Sequence, residues 1–71
     1  MKVINNIFTE REKEIVLLLI EGKNKGEIAK ILNLSISTIK TYIEKLYSKF
    51  NVHNRVEFII YIIKNNIINL K

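Results

Sequence analysis

Cysteine is absent from the 71-residue chain, which excludes disulfide cross-links and thiolate metal sites. Histidine occurs once, as His53, and aspartate not at all, so a protein-ligated metal centre is not expected, nor is a cofactor. No serine has a base beside it in a recognisable catalytic motif, and no glycine-rich loop is present to cradle phosphate, so the chain is not expected to be an enzyme. Long apolar runs are missing as well: the stretch from Phe58 to Leu70 is interrupted by Lys64, Asn65 and Asn66, too early to span a bilayer core. The residues after Met1 lack the apolar stretch and cleavage site of a secretory signal, and a cytoplasmic location is the default expectation. Proline is also absent, leaving the two glycines and the asparagines to end helices.

A chain this short buries only about 60% of its unfolded surface, which makes dimerisation a natural source of further buried area. Its net charge of +5 is unevenly spread. Up to Glu21 the acids slightly outnumber the bases. Between Gly22 and Arg55 seven basic residues (Lys23, Lys25, Lys30, Lys40, Lys45, Lys49 and Arg55) face only Glu27 and Glu44. A charge focused in this way suits a surface that meets a polyanion.

Thr9 with Glu12, Asn24 with Glu27, and Asn54 with Glu57 each have the spacing of a capping box, and Ser35 is an N-cap without the reciprocal glutamate. Gly22, Asn33 and Asn51 fall where helices would stop. These signals predict four helices, over Glu10–Glu21, Lys25–Leu32, Ile36–Phe50 and Arg55–Asn66. The core should take Ile15, Leu18 and Leu19 from the first, Ile28, Ile31 and Leu32 from the second, and Ile36, Ile39, Ile43, Leu46 and Phe50 from the third. No segment alternates with period two, so no strand is expected, and there is neither an internal repeat nor a linker. The fold class is all-α: one four-helix domain over residues 1–71, with its core at about 8–66 and a flexible leader over 1–7.

A short second helix, the three-residue connection Asn33-Leu34-Ser35 and a longer third helix make a helix-turn-helix, whose second member lies in the major groove of DNA. With the third helix's isoleucines turned inward, its opposite face carries Ser37, Lys40, Thr41 and Glu44, with Lys45 and Ser48 alongside. Hydrogen-bonding side chains in that arrangement can read base edges. The fourth helix has apolar residues on more than one face. The expectation is that Val56, Ile59, Ile60 and Ile63 serve the core, while Phe58, Tyr61 and Ile62 form a two-fold contact.

Four motifs in register resemble the LuxR/FixJ/GerE family of DNA-binding domains. They are Phe8-Thr9-Glu10-Arg11-Glu12-Lys13-Glu14-Ile15; Gly22 with Glu27, Ile28 and Ala29; Ser35 with Thr38, Ile39 and Lys40; and Lys49-Phe50 with Val52, Asn54 and Arg55. The resemblance implies a winged-helix-like domain without a wing, a bacterial transcriptional regulator that binds promoter DNA as a homodimer through its fourth helix, with RNA polymerase as a further partner. It places base reading on Lys40, Thr41 and Glu44, and phosphate contacts on Asn24, Lys25, Ser35, Ser37, Thr38, Lys45 and Lys49. Glu12 and Arg55 are assigned to intradomain structure. Four positions depart from the family pattern. Lys25-Gly26 replaces Asn-Lys, Tyr42 replaces a common histidine, and Asn51 replaces a glycine. Glu44 is an uncommon choice for a reader: it can accept from cytosine N4, but it repels phosphate. The start at Met1-Lys2, close to the first helix, is more like a stand-alone GerE-like regulator than an output domain cut from a response regulator. A helical module whose basic face meets an acidic protein is the alternative from a different class.

Overall fold

The computed structural model describes residues 3–4 and 7–69, with side chains described for 7–67. Four helices form it, α1 (Glu10–Ile20), α2 (Lys25–Leu32), α3 (Ile36–Lys49) and α4 (Arg55–Lys64). Their starts follow the capping chemistry. Thr9 Oγ1 accepts from the Glu12 N–H at 3.2 Å while Glu12 accepts from the Thr9 N–H at 2.8 Å. Asn24 and Glu27 make the same exchange at 2.8 and 2.9 Å. Ser35 caps α3 through the Thr38 N–H at 3.1 Å, without a returning glutamate. At α4 the box is offset by one residue: Asn54 accepts from the Glu57 N–H, but Glu57 returns to the His53 N–H at 2.8 Å.

All four helices end alike. A residue with positive φ (Gly22 at 90°, Asn33 at 57°, Asn51 at 55°, Asn66 at 54°) reverses the chain. The N–H of the next residue then bonds to a carbonyl five residues back, from Lys23 to Leu18, Leu34 to Ala29, Val52 to Tyr47, and Ile67 to Ile62. This is the Schellman arrangement, and it satisfies carbonyls that a helix end would otherwise strand. Asparagine can supply the left-handed residue because its short polar side chain tolerates that region.

The core is built from Ile15, Val16 and Leu19 of α1, Ile28 and Ala29 of α2, Ile39, Ile43 and Leu46 of α3, and Phe58 and Ile62 of α4, closed over by Phe8 and Ile67. Phe50 bridges its aromatic part, with ring centroids 5.8 Å from Phe8, 6.0 Å from Phe58 and 5.1 Å from Tyr61.

The structure corrects the expected core in three places. In α2, Ala29 takes the inward place, and Ile31 is left exposed about 60° outside the arc of Ile28 and Ala29. Ile36, on the first residue of α3, stays 58% exposed and leans over the first turn of α2, where its Cδ1 would lie 4.0 Å from a methyl placed on Gly26. In α4 the two faces are exchanged. Phe58 and Ile62 are fully buried within the chain itself, so they cannot also form the expected two-fold contact, whereas Val56, Ile60 and Ile63 are 66, 56 and 47% exposed. Tyr61 lies at the margin between the two faces.

A two-residue antiparallel ladder, absent from the periodicity, joins the ends of the domain: β1 (Val3–Ile4) pairs with β2 (Ile68–Asn69), Val3 opposite Asn69 and Ile4 opposite Ile68. The expected flexible leader over residues 1–7 is therefore tied down at Val3 and Ile4, while Met1, Lys2, Asn5 and Asn6 lie outside the described residues.

Candidate nucleic-acid interface

The turn Asn33-Leu34-Ser35 sets α3 across α2, with Leu34 partly buried against the core and Ser35 beginning the new helix. Burial of Ile39, Ile43 and Leu46 leaves the opposite side of α3 in solvent. Ser37, Lys40, Thr41, Glu44, Lys45 and Ser48 are all exposed there, with Thr38 and Tyr42 half-buried at the edge. Shallow clefts flank this ridge. One, of about 300 Å³, is lined by Ser37, Thr38, Thr41, Tyr42 and Lys45. Another, of about 320 Å³, brings Lys25 from the start of α2 and Arg55 from the start of α4 beside Lys40, Ile43, Glu44 and Tyr47. The protruding polar helix is thus bordered by two cations from other helix starts, Lys25 of α2 and Arg55 of α4.

A sequence profile of the luxR family of bacterial regulatory proteins matches residues 6–62. The chain belongs to that family. It is a helix-turn-helix DNA-binding domain of the kind that regulates transcription. Among its relatives are the probable transcriptional regulator ycf29 of Porphyra purpurea, 44% identical over 61 residues (86% of this chain and 29% of the relative), and the response regulator protein VraR of Staphylococcus aureus, 39% identical over 62 residues (87% and 30%). VraR of Staphylococcus epidermidis matches at the same 39%. The chain thus spans under a third of the length of these relatives. Among the described residues no helix is long and apolar enough to cross a membrane.

The side chains that the luxR resemblance singles out are placed unequally. Lys25, Lys40, Glu44 and Lys45 project from the basic face with open ends. Thr41 is on the same face, but its hydroxyl donates to the Ser37 carbonyl at 3.1 Å, which leaves its oxygen as an acceptor and its methyl for apolar contact. The oxygens of Asn24 and Ser35 serve their caps, and the Ser35 hydroxyl also donates to Thr38 Oγ1 at 2.9 Å. Lys49 is set apart: it lies half a turn around α3 from Lys40, its ammonium donates to the Ile7 carbonyl at 2.9 Å, and it stands 5.6 Å above the Phe8 ring. The structure therefore does not bring Lys49 together with the other expected phosphate contacts.

Glu12 and Arg55 have the intradomain roles assigned to them. Glu12 closes the α1 box, and the Arg55 guanidinium donates to the Lys23 carbonyl, tying α4 to the α1–α2 connection. Tyr47 was not singled out from sequence. Its position was readable, since steps of four and three carry Lys40 to Glu44 to Tyr47 along one line of α3. Burial pushes the Tyr47 phenol above its ordinary value of 10.0, and the neighbouring Arg55 charge and hydrogen bond partly oppose that rise.

Proposed function

We propose that this luxR-family domain regulates transcription by laying α3 in the major groove of duplex DNA, with Lys40, Thr41 and Glu44 toward base edges and Lys25, Lys45, Ser37 and Thr38 toward the flanking phosphates. One observation carries the reading: from Ser37 to Ser48 the exposed side chains of α3 are polar or charged, with Ile36 exposed only at its first residue, and this face is continuous, through Lys25, with the start of α2. Lysines there would neutralise phosphates and release counterions, and the hydrogen-bonding groups between them would face the base pairs.

The domain is proposed to act as a homodimer through α4. The exposed apolar side chains Val56, Ile60 and Ile63 are the available face, in place of the buried Phe58 and Ile62. A two-fold contact there would present two α3 helices to half-sites about 34–36 Å apart. Sedimentation equilibrium checks the dimer, and a concentration-independent monomer mass with and without DNA would contradict it.

The test of DNA binding is fluorescence anisotropy with a mixed-sequence duplex across a salt series. Log affinity should fall linearly with log salt. Absence of binding at low salt and micromolar protein would move the basic face to an acidic protein partner instead.

A further inference from the structure

We propose that Glu44 makes this domain require a cytosine in its binding site, its carboxylate accepting a hydrogen bond from the exocyclic N4 amine in the major groove. The inference rests on the groove placement of α3 proposed above. The chain has seven acidic residues, all glutamate. Glu12 and Glu27 close capping boxes at α1 and α2, and Glu57 accepts from the His53 N–H ahead of α4. Glu10 pairs with Lys13 at 3.4 Å and Glu14 with Arg11 at 3.7 Å, and Glu21 has a partner as well. Among the described residues Glu44 is the one acid with no partner in the chain. It caps nothing, pairs with nothing and is exposed in the middle of the basic face, between Lys40 and Lys45 and beside the cleft that Lys25 and Arg55 also line.

A lone carboxylate on a face that meets DNA repels phosphate and weakens binding to every sequence. Folding does not account for it, because no intrachain contact uses it. A base edge does. An ionised carboxylate only accepts hydrogen bonds. In the major groove the donors are cytosine N4 and adenine N6, whereas guanine O6 and N7 and thymine O4 are acceptors that would repel it. The adenine amine lies between two acceptors, its own N7 and the O4 of its paired thymine. The cytosine amine has an acceptor on one side only, the O6 of its paired guanine, so cytosine is the better partner. Lys40, one turn earlier on the same line of α3, carries the complementary preference for guanine O6 and N7. The two side chains form no ion pair with each other among the described residues, so both ends are free to be used.

The test is selection from a random-sequence duplex library by the wild-type domain, Glu44→Gln and Glu44→Ala, followed by competition anisotropy on single-base variants of the enriched site. The wild type should enrich cytosine at one position and prefer it there by roughly tenfold. Glu44→Ala should lose that preference while its affinity for mixed-sequence duplex rises. Glu44→Gln should move the preference toward adenine, whose N7 and N6 an amide can pair together. Circular dichroism checks that both variants, altered only at an exposed side chain, remain folded. If both variants enrich the same bases as the wild type, or if the wild type enriches no base, the cytosine assignment is overturned while DNA binding stands. A wild type that binds no duplex at low salt overturns the groove placement and the assignment together.

Discussion

α3 and α4 carry their apolar side chains in different ways. In α3, Ile39, Ile43 and Leu46 occupy one side, and lysines, threonine, serines and glutamate fill the other. In α4, Phe58 and Ile62 lie on one side and Val56, Ile60 and Ile63 lie about half a turn away on the other. Burial orients α3 without ambiguity, because only one of its faces is apolar and raises the free energy when left in water. Either face of α4 could be buried, and the choice falls to shape. The flat ring of Phe58 fills the space beside Tyr47 and Phe50, with centroids 5.4 and 6.0 Å away, which a branched isoleucine would fill less well. Under the proposed function the difference would divide the labour of the domain, with the polar face of α3 meeting a polyanion and the apolar face of α4 meeting a protein surface.

The largest expected effect tests the orientation of α4. Phe58→Ala should destabilise the domain by about 3–5 kcal/mol in urea denaturation, enough to unfold much of a domain this small. Ile60→Ala, on the opposite face, should stay within about 0.5 kcal/mol when measured at monomer concentrations. Similar losses from both would remove the distinction between the two faces.

Next in size is the self-association of α4. Ile60→Lys should weaken dimerisation by at least roughly tenfold, the loss of about 1.4 kcal/mol that exclusion of one isoleucine from a shared apolar contact warrants. Sedimentation of the variant with an unchanged dimer fraction would detach the exposed face from the interface. On α3, Lys40→Ala should weaken a selected site by about 1–3 kcal/mol in anisotropy, whereas Lys49→Ala should leave DNA affinity nearly unchanged and act on stability through Ile7 and Phe8. Equal losses from the two lysines would return Lys49 to the DNA-facing set.

The smallest effect is in pH dependence. Tyr47 is raised above its unfolded value of 10.0, mainly by burial, so the native state holds the proton more tightly. That contribution is fully present below pH 10.0 and is lost as pH rises through the native-state value. The stability difference between wild type and Tyr47→Phe should therefore shift against the wild type above pH 10, as read by urea denaturation at stepped pH. A constant difference across that range would show that Tyr47 titrates alike in both states.

The starts of all four helices and the stops of the first three were legible because they are local chemistry, a cap within three residues and a left-handed asparagine or glycine at the stop. By contrast, α4 was expected to run to Asn66 and ends at Lys64, with Asn66 itself the left-handed residue. The face of α3 was legible because its pattern has two kinds of residue. What escaped the sequence was non-local. Nothing in two residues of strand announces that Val3–Ile4 will find Ile68–Asn69 across the domain. The withdrawal of Lys49 depends on where the Ile7 carbonyl comes to rest, 42 residues away in sequence. Tyr47 was obscured for the same reason: its spacing was visible, but its setting depends on Arg55 arriving from α4. Glu57 shows the limit of local rules, since the box at α4 forms with its return bond moved to His53.

The division between the two helices is tested most directly by amide chemical-shift mapping of the isotope-labelled domain titrated with a duplex carrying its selected site. Shifts should concentrate on Ser37, Lys40, Thr41, Glu44 and Lys45 and at the start of α2 around Lys25. Perturbation confined to other surfaces, with α3 unmoved at saturating DNA, would contradict the assignment of α3 as the element that reads DNA.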